Sequence, residues 1–263
     1  MRHLISRDNA HFRELKKLCH SGRERRKSGR IVLDGVHLIE SYCAVFGTPQ
    51  EVVVSEAGMM REEIARLVTE GGAGMAVTVL ADALFAELAT VDTPSGIMAI
   101  VALPRCKHGV NQEADAVLLD GVQDPGNLGS ILRTAAAAGF RQVLLSADCA
   151  QAWSPKTLRA AMGAHFLLDI HESSDLPAFL AAYRGQSLAT VLEDSDALHS
   201  LSLTGPVAWV LGNEGQGVRA EVAELASRRV RIPMPGKTES LNVAAAAAIC
   251  LFETVRQRLG GVG

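Results

Sequence analysis

The amino-acid sequence predicts an α/β fold in two parts, each a small sheet of short strands alternating with helices. Three observations carry that expectation. Short β-branched and aliphatic runs such as RIVLD, EVVVS and AVTVL recur between stretches of helical periodicity. Later runs, AVLLD and VAWVL, are apolar on both faces, the pattern of strands in a parallel sheet covered by helices on each side. Between the two parts, residues 105–114 combine Arg, Lys, His, Gly and Asn and read as a linker.

The first part, residues 1–104, is expected to hold strands at 30–34, 51–55, 76–80 and 96–103, where β-branched residues cluster. Helices are expected at 9–20, 35–46, 59–70 and 81–89, where apolar residues return at helical spacing. The second part, residues 115–263, is expected to hold strands at 115–121, 142–146, 167–171, 187–193, 206–211 and 229–232. Its helices are expected at 127–138, 155–163, 175–184, 217–227 and 240–258. In a sheet of this kind, ligands bind beyond the carboxyl ends of the strands.

Composition excludes several classes. With 48% hydrophobic and 21% charged residues among 263, the chain is globular and neither disordered nor collagen-like. The longest apolar run, Val243 to Phe252, is half the roughly 20 residues that span a bilayer, so no membrane helix is expected. MRHLISRDNA lacks the apolar core of a signal peptide, and a cytoplasmic location is expected. Cys19, Cys43, Cys106, Cys149 and Cys250 form no CxxC pair, and His37, His165, His171 and His199 lack ligand spacing, so neither disulfides nor a metal are expected.

The net charge of −3 conceals an asymmetry. The first 30 residues carry ten Lys or Arg against three Asp or Glu. Arg13, Lys16, Lys17, Arg23, Arg25, Arg26 and Lys27 are the candidates for a patch on nucleic-acid phosphates, in an arm or first helix. The competing reading is a solvated face.

Chemistry-bearing residues gather at three strand ends. In DGVQDPGNLGSILRTAAAAGF, residues 120–140, a Pro-Gly turn leads into a helix that Asn127 can cap. Arg133 is the lone charge of that helix, either a functional group or its solvent face. In AWVLGNEGQGV, residues 208–218, a strand runs into three glycines in six residues, which means unusual dihedrals or close contact, or simply a turn. The spacing is not GxGxxG, and no GxxxxGK[ST] occurs, so neither a dinucleotide fold nor a P-loop is supported. In RIPMPGKTESLNVAAAAAICLFETVRQRL, residues 231–259, extended chain precedes a helix expected to start near Ser240. The free N–H groups there, with Ser240 and Asn242, form a polar pocket beside Ile232, Met234 and Leu241.

NLGSILR, LGNEGQG and IPMPGKTESLNVAAAA, in this order, closely resemble the three motifs of the SpoU (TrmH-like) RNA ribose 2′-O-methyltransferases of the SPOUT superfamily. The resemblance covers residues 115–258, including SPKTLRAAMGAHF. More loosely, RIVLDGVHLIESY and SGIMAIVALP resemble the small L30e/L7Ae-like substrate-binding domain that precedes the catalytic domain in many members. It implies an α/β catalytic domain with a deep trefoil knot, which folding rules alone would never suggest, S-adenosylmethionine as cofactor, and a homodimer with the site at the subunit interface. The implied cofactor contacts are Gly212, Ile232 and Leu241, with Leu211, Asn213, Glu214 and Met234 in the same pocket and Thr190 and Leu192 as a further wall. The implied catalytic set is Arg133, assisted by Asn127, Glu214, Ser240 and Asn242. Because a guanidinium stays protonated, Arg133 is expected to bind a phosphate or stabilise an alkoxide rather than act as base. Glu214 has a plainer reading as a helix cap. The implied substrate is structured RNA, rRNA before tRNA; a tRNA ribose methyltransferase, a tRNA guanine-N1 enzyme and a non-catalytic RNA-binding protein are the alternatives.

Overall fold

A computed structural model describes residues 1–72, 74–90, 94–106 and 108–260. They form two compact units, one of Met1–Arg105 with Trp153–Phe166, the other of Cys106–Ala152 with Leu167–Gly263.

The first unit contains, in chain order, β1 (Arg2–Leu4), α1 (Ala10–His20), α2 (Gly22–Ser28), β2 (Arg30–Asp34), α3 (Val36–Phe46), β3 (Glu51–Ser55), α4 (Glu56–Met59), α5 (Glu62–Glu70), β4 (Ala76–Leu80), α6 (Asp82–Leu88) and β5 (Ile97–Ala102). The sheet order is β1-β4-β3-β5-β2, with β5 antiparallel to both neighbours and the other pairs parallel. Side-chain alternation sends Val53, Val32, Met98 and Ile100 to one face, against Phe12, Leu15 and Leu18 of α1 and Phe85 of α6. Val52, Val54, Ile31, Leu33 and Ile97 go to the other, against Ile39 and Ile64. Both faces are therefore covered, which is why the strands read as unbroken apolar runs.

The basic N-terminal segment is folded into this unit and is not an arm. After α1, capped by Asn9, Ser21 starts the second helix α2 by accepting the Glu24 N–H, and Gly29 in the left-handed region (φ 62°) ends it. Arg25 corrects the expected phosphate patch. It is buried, and its Nη1 donates to the carbonyls of Leu18 (2.8 Å) and Cys19 (3.0 Å), two orphan acceptors at the end of α1. Arg13 bonds Asp8, and Lys16 lies 2.9 Å from Glu87, while Lys17, Arg23, Arg26 and Lys27 are exposed.

The second unit contains β6 (Ala116–Asp120), α7 (Pro125–Ala137) and β7 (Gln142–Leu145), after which the chain leaves for α8 (Pro155–Ala161). It then continues with β8 (Asp169–His171), α9 (Leu176–Ala182), β9 (Gln186–Thr190), β10 (Asp196–Ala197), β11 (Val207–Gly212), α10 (Ala220–Leu225), β12 (Arg228–Arg231) and α11 (Val243–Gly260). Residues 153–166 differ from the continuous division of the chain after 114: Leu158 and Phe166 are buried in the first unit's apolar cluster, and Arg159 lies 3.8 Å from Asp34.

The seven strands are all parallel, in the order β10-β12-β9-β11-β6-β7-β8. From β6 the chain builds outward through β7 to β8, then returns to lay β9 and β11 on the other side, so the direction of winding reverses beside β6. In open sheets of this kind ligand sites lie beyond the carboxyl ends of the strands near such a reversal. One face packs against α9 and α10 through Leu176, Phe179 and Val222. On the other, α11 packs on β11 and α7, and the buried Trp209 donates from its indole to Thr254 (3.1 Å). Asp115 and Arg258 form a two-bond pair (2.6 and 2.8 Å) that pins the end of α11.

Replacing Arg25 by Ala removes two charge-assisted bonds and strands two buried carbonyls. It should destabilise the protein by about 2 kcal/mol, read as a lowered thermal midpoint, whereas Lys27→Ala should leave the midpoint unchanged.

Candidate active site

A cavity of about 440 Å³ lies at the carboxyl ends of β9, β11 and β12, within the range that holds a small organic ligand. Thr190 and Leu192 close it at the end of β9, Leu211 and Gly212 at the end of β11, and Asn213 and Glu214 in the following turn. Ile232 and Met234 after β12, and Ser240 and Leu241 ahead of α11, complete the wall. All nine residues nominated for the cofactor thus line one cavity, with Ser240. Sequence reasoning missed Val218, Val230, Val243 and Ala246, which also line it. Their signal was weak, because each is an apolar residue of an ordinary strand or helix pattern.

The turn after β11 is closed on itself. A Cβ on Gly212 would stand 2.0 Å from the Gly217 carbonyl carbon and 2.1 Å from the Val218 nitrogen, so only glycine allows the two ends to touch. Asn213 and Gly217 exchange backbone hydrogen bonds of 2.9 Å each way, and the Asn213 side-chain oxygen accepts from the N–H groups of Gly215 (2.9 Å) and Gln216 (3.1 Å). Its amide nitrogen donates to the Gly121 carbonyl (2.8 Å).

Glu214 connects this turn to the first motif. Its carboxylate accepts the backbone N–H groups of Gln123 and Asp124 (3.2 Å each) and the side-chain amide of Asn127 (3.1 Å). Asn242 in turn donates to the Asn127 side-chain oxygen (2.9 Å), and its own oxygen accepts from Ala244 (2.9 Å) and Ala245 (3.3 Å). A carboxylate only accepts, so Asn127 must present its NH₂ to Glu214 and its oxygen to Asn242, which fixes both amides. Partial burial acts to raise the Glu214 carboxyl, but the donors of Asn127, Asp124 and Gln123 outweigh it and hold the group below the usual carboxylate range.

Three local expectations are corrected. Asp124, not Asn127, caps α7 by accepting the Asn127 N–H (2.8 Å), which leaves the Asn127 side chain free for Glu214 and Asn242. The long helix starts at Val243 rather than Ser240, because Asn242 is its cap. Glu214 caps no helix after the turn; it serves the backbone ahead of α7.

The structure brings Asn127, Glu214 and Asn242 together and sets Ser240 in the cavity wall outside their hydrogen bonds. It places Arg133 apart: exposed, six residues along α7, about 9 Å down the axis and about 120° around from Asn127. Among the described residues Arg133 has no ion pair, and no group of three or more His, Cys, Asp or Glu could hold a metal ion. No described helix is long and apolar enough to cross a membrane.

Because its folded value is depressed, Glu214 stabilises the turn fully above its ordinary value of 4.5 and loses that contribution as pH falls through the lower folded value. Protection of the Gln123 and Asp124 amides from hydrogen exchange should therefore persist at neutral pH and collapse in acid. In Glu214→Gln it should be low at every pH.

Residues 115–252 match the SpoU rRNA Methylase family, and residues 9–99 match the MRM3-like substrate binding domain. The 23S rRNA (guanosine(2553)-2′-O)-methyltransferase RlmP of Bacillus subtilis is 31% identical over 255 residues, covering 96% of this chain and 98% of that protein. The 23S rRNA (guanosine-2′-O-)-methyltransferase RlmB of Bordetella pertussis is 35% identical over 175 residues, 63% of this chain and 71% of its own. Among solved structures, the SpoU methyltransferase AviRb from Streptomyces viridochromogenes, in complex with AdoMet, superposes with a TM-score of 0.83 at 26% identity, over 95% of this chain and 98% of that one. With its second and third motifs lining one cavity, its first tied to them through Asn127, and its sequence matched along nearly the whole length, the chain belongs to the SpoU rRNA Methylase family.

Proposed function

We propose that this protein transfers the methyl group of S-adenosylmethionine to the 2′-hydroxyl of a ribose in structured RNA, with 23S rRNA as the substrate, acting as a cytoplasmic homodimer with a knotted catalytic domain. The observation that carries the reading is the hydrogen-bonded chain Glu214–Asn127–Asn242. It ties the first and third motifs to the second at the edge of the cavity that the second and third enclose.

The cavity suits the cofactor in size and in chemistry. Leu211, Ile232, Met234 and Leu241 offer apolar walls for a flat base, and the backbone of the Asn213–Gly217 turn offers polar groups. When bound, S-adenosylmethionine supplies a methyl group activated on a sulfonium. The protein's tasks are then alignment of the 2′-oxygen and care of its proton.

Glu214 is poorly suited to take that proton. Three donors occupy its carboxylate and favour the charged form, so its work is to orient Asn127 and the backbone at Gln123 and Asp124. Arg133 stays charged and cannot be a base, but it is exposed and free of any carboxylate. Its charge is available to an RNA phosphate or a developing alkoxide. Its distance from Asn127 along α7 supports action at the partner subunit's site. Ala245, Ile249 and Phe252 are exposed along α11, which packs on α7, and they supply an apolar stripe for a second copy to cover. Lys17, Arg23, Arg26 and Lys27, exposed at the N-terminal unit, contact phosphates in this reading.

Labelled methyl transfer from S-adenosylmethionine to rRNA and tRNA, supplied separately and followed by nucleoside analysis, should yield a 2′-O-methylnucleoside in rRNA. Product in tRNA alone overturns the substrate, and a base-methylated product overturns the chemistry.

Arg133→Ala should lower transfer by at least about a hundredfold, in line with loss of a charge that stabilises the transition state, while the cofactor's dissociation constant stays unchanged. Weakened cofactor binding in that variant would contradict its placement on the RNA side.

A further inference from the structure

One buried charge beside the cavity belongs to neither the cofactor wall nor the Glu214 hydrogen bonds. Asp120 is the last residue of β6, paired in register with Gly212, the last residue of β11. It is 2% exposed, and both of its oxygens are spent on a single residue. One accepts the Arg219 backbone N–H (2.9 Å), the other the Arg219 Nε (2.8 Å). Arg219 is the second residue after the glycine-rich turn has closed and the cap position of α10, where no side chain serves as cap.

The next residue, Gly121, completes the arrangement. Its φ of +73° turns the chain so that its carbonyl accepts the Asn213 side-chain amide (2.8 Å). Two consecutive residues at the end of β6 therefore hold the two ends of the turn: Gly121 at Asn213 and Asp120 at Arg219. Between these anchors, among the described residues, the turn is tied by its own backbone exchange, the Asn213 side chain and Glu214.

We infer that Asp120 and Arg219 are positioning residues that clamp the Gly212–Gly217 turn in the shape that binds the cofactor. The inference rests on the S-adenosylmethionine reading of the cavity. A carboxylate this buried is costly unless fully bonded, so the clamp has one favoured geometry and no cheap alternative. Removing the Arg219 side chain keeps the main-chain bond but leaves one Asp120 oxygen unpartnered. Asp120→Asn keeps the shape but sets an NH₂ against an N–H donor. Neither residue is nominated to touch the cofactor, so the effect passes through the turn. The Arg219–Glu221 pair (3.0 Å) is an exposed side branch that the clamp does not need.

The test uses the full-length protein. Titration calorimetry with S-adenosylmethionine is run on the natural protein and on Arg219→Ala, Asp120→Asn, Arg219→Lys and Glu221→Gln, alongside amide hydrogen exchange of Gly217 and Arg219 without cofactor. Arg219→Ala and Asp120→Asn should raise the dissociation constant about tenfold, the worth of one charge-assisted hydrogen bond, with the number of sites unchanged and protection of both amides reduced. Arg219→Lys should recover part of the affinity, and Glu221→Gln should match the natural protein. An unchanged dissociation constant, with or without a loss of sites, overturns the inference, since a merely structural role removes sites without weakening those that remain. If the natural protein binds no S-adenosylmethionine, the cofactor reading fails on its own. Exchange then decides the clamp: reduced protection in Arg219→Ala sustains it, and unaltered protection overturns it.

Discussion

The parallel pairing of β6 with β11 is the constraint on which the rest of the site depends. Both strands are buried along their whole length, and their register sets Asp120 opposite Gly212. Because parallel strands end at the same side of a sheet, the turns that follow them emerge together, although Gly121 and Asn213 are 92 positions apart in the chain. Everything chemical is then short-range: Asn213 reaches Gly121, Glu214 reaches the backbone ahead of α7, and Arg219 reaches Asp120. A one-residue slip would reverse every side chain on β11 and separate all three contacts at once, so burial of Val207–Gly212 protects the site as well as the core.

Much of this was legible in the sequence, for reasons that differ by element. Strands expected at 30–34, 51–55 and 76–80 coincide with β2, β3 and β4, because strands covered by helices on both faces, at the edge of the sheet as well as inside it, are largely apolar. The three chemistry-bearing turns were visible because glycine and proline mark places where side chains cannot fit, as the Gly212 contact demonstrates. β1 and α2 were not visible. Arg2–Leu4 is too short to show a pattern, and GRERRKS has no apolar stripe, being held by the Ser21 cap, the left-handed Gly29 and the inward turn of Arg25. Asp120 and Arg219 escaped notice for a related reason. A charged residue at the edge of a turn looks solvated in one dimension, and only the folded contacts show both Asp120 oxygens taken.

Charge counting at the N-terminus is equally blind to which charges the fold itself uses. Ten basic residues in thirty suggest an arm or first helix that docks on a polyanion; the structure shows helices, in which α1 places Phe12, Leu15 and Leu18 in the core and the paired members of the set answer to Glu87, Asp8 or buried carbonyls. The charge left for a partner is the smaller set on the exposed side of α1 and α2, and a folded helix pair presents it at fixed spacing. Phosphates on a structured RNA are themselves at fixed spacing, so such a surface selects shape, which a flexible arm of equal charge would not do.

Asn242 joins the site to the surface of the second unit. Its side chain holds Asn127 with one end and caps α11 with the other, so the residue that completes the Glu214 hydrogen bonds also sets where the long helix begins. The same helix carries Val243 and Ala246 at the cavity and, further along, the exposed Ile249 and Phe252. Its far end is pinned by Asp115 against Arg258 and by Trp209 against Thr254, leaving little freedom to slide. A partner covering the stripe on α11 would press on an element whose first turn borders the cofactor cavity, and whatever filled the cavity would press back. Were a second copy to cover the stripe, cofactor binding and subunit association would be coupled through one pinned helix, and by linkage each would strengthen the other to the same degree.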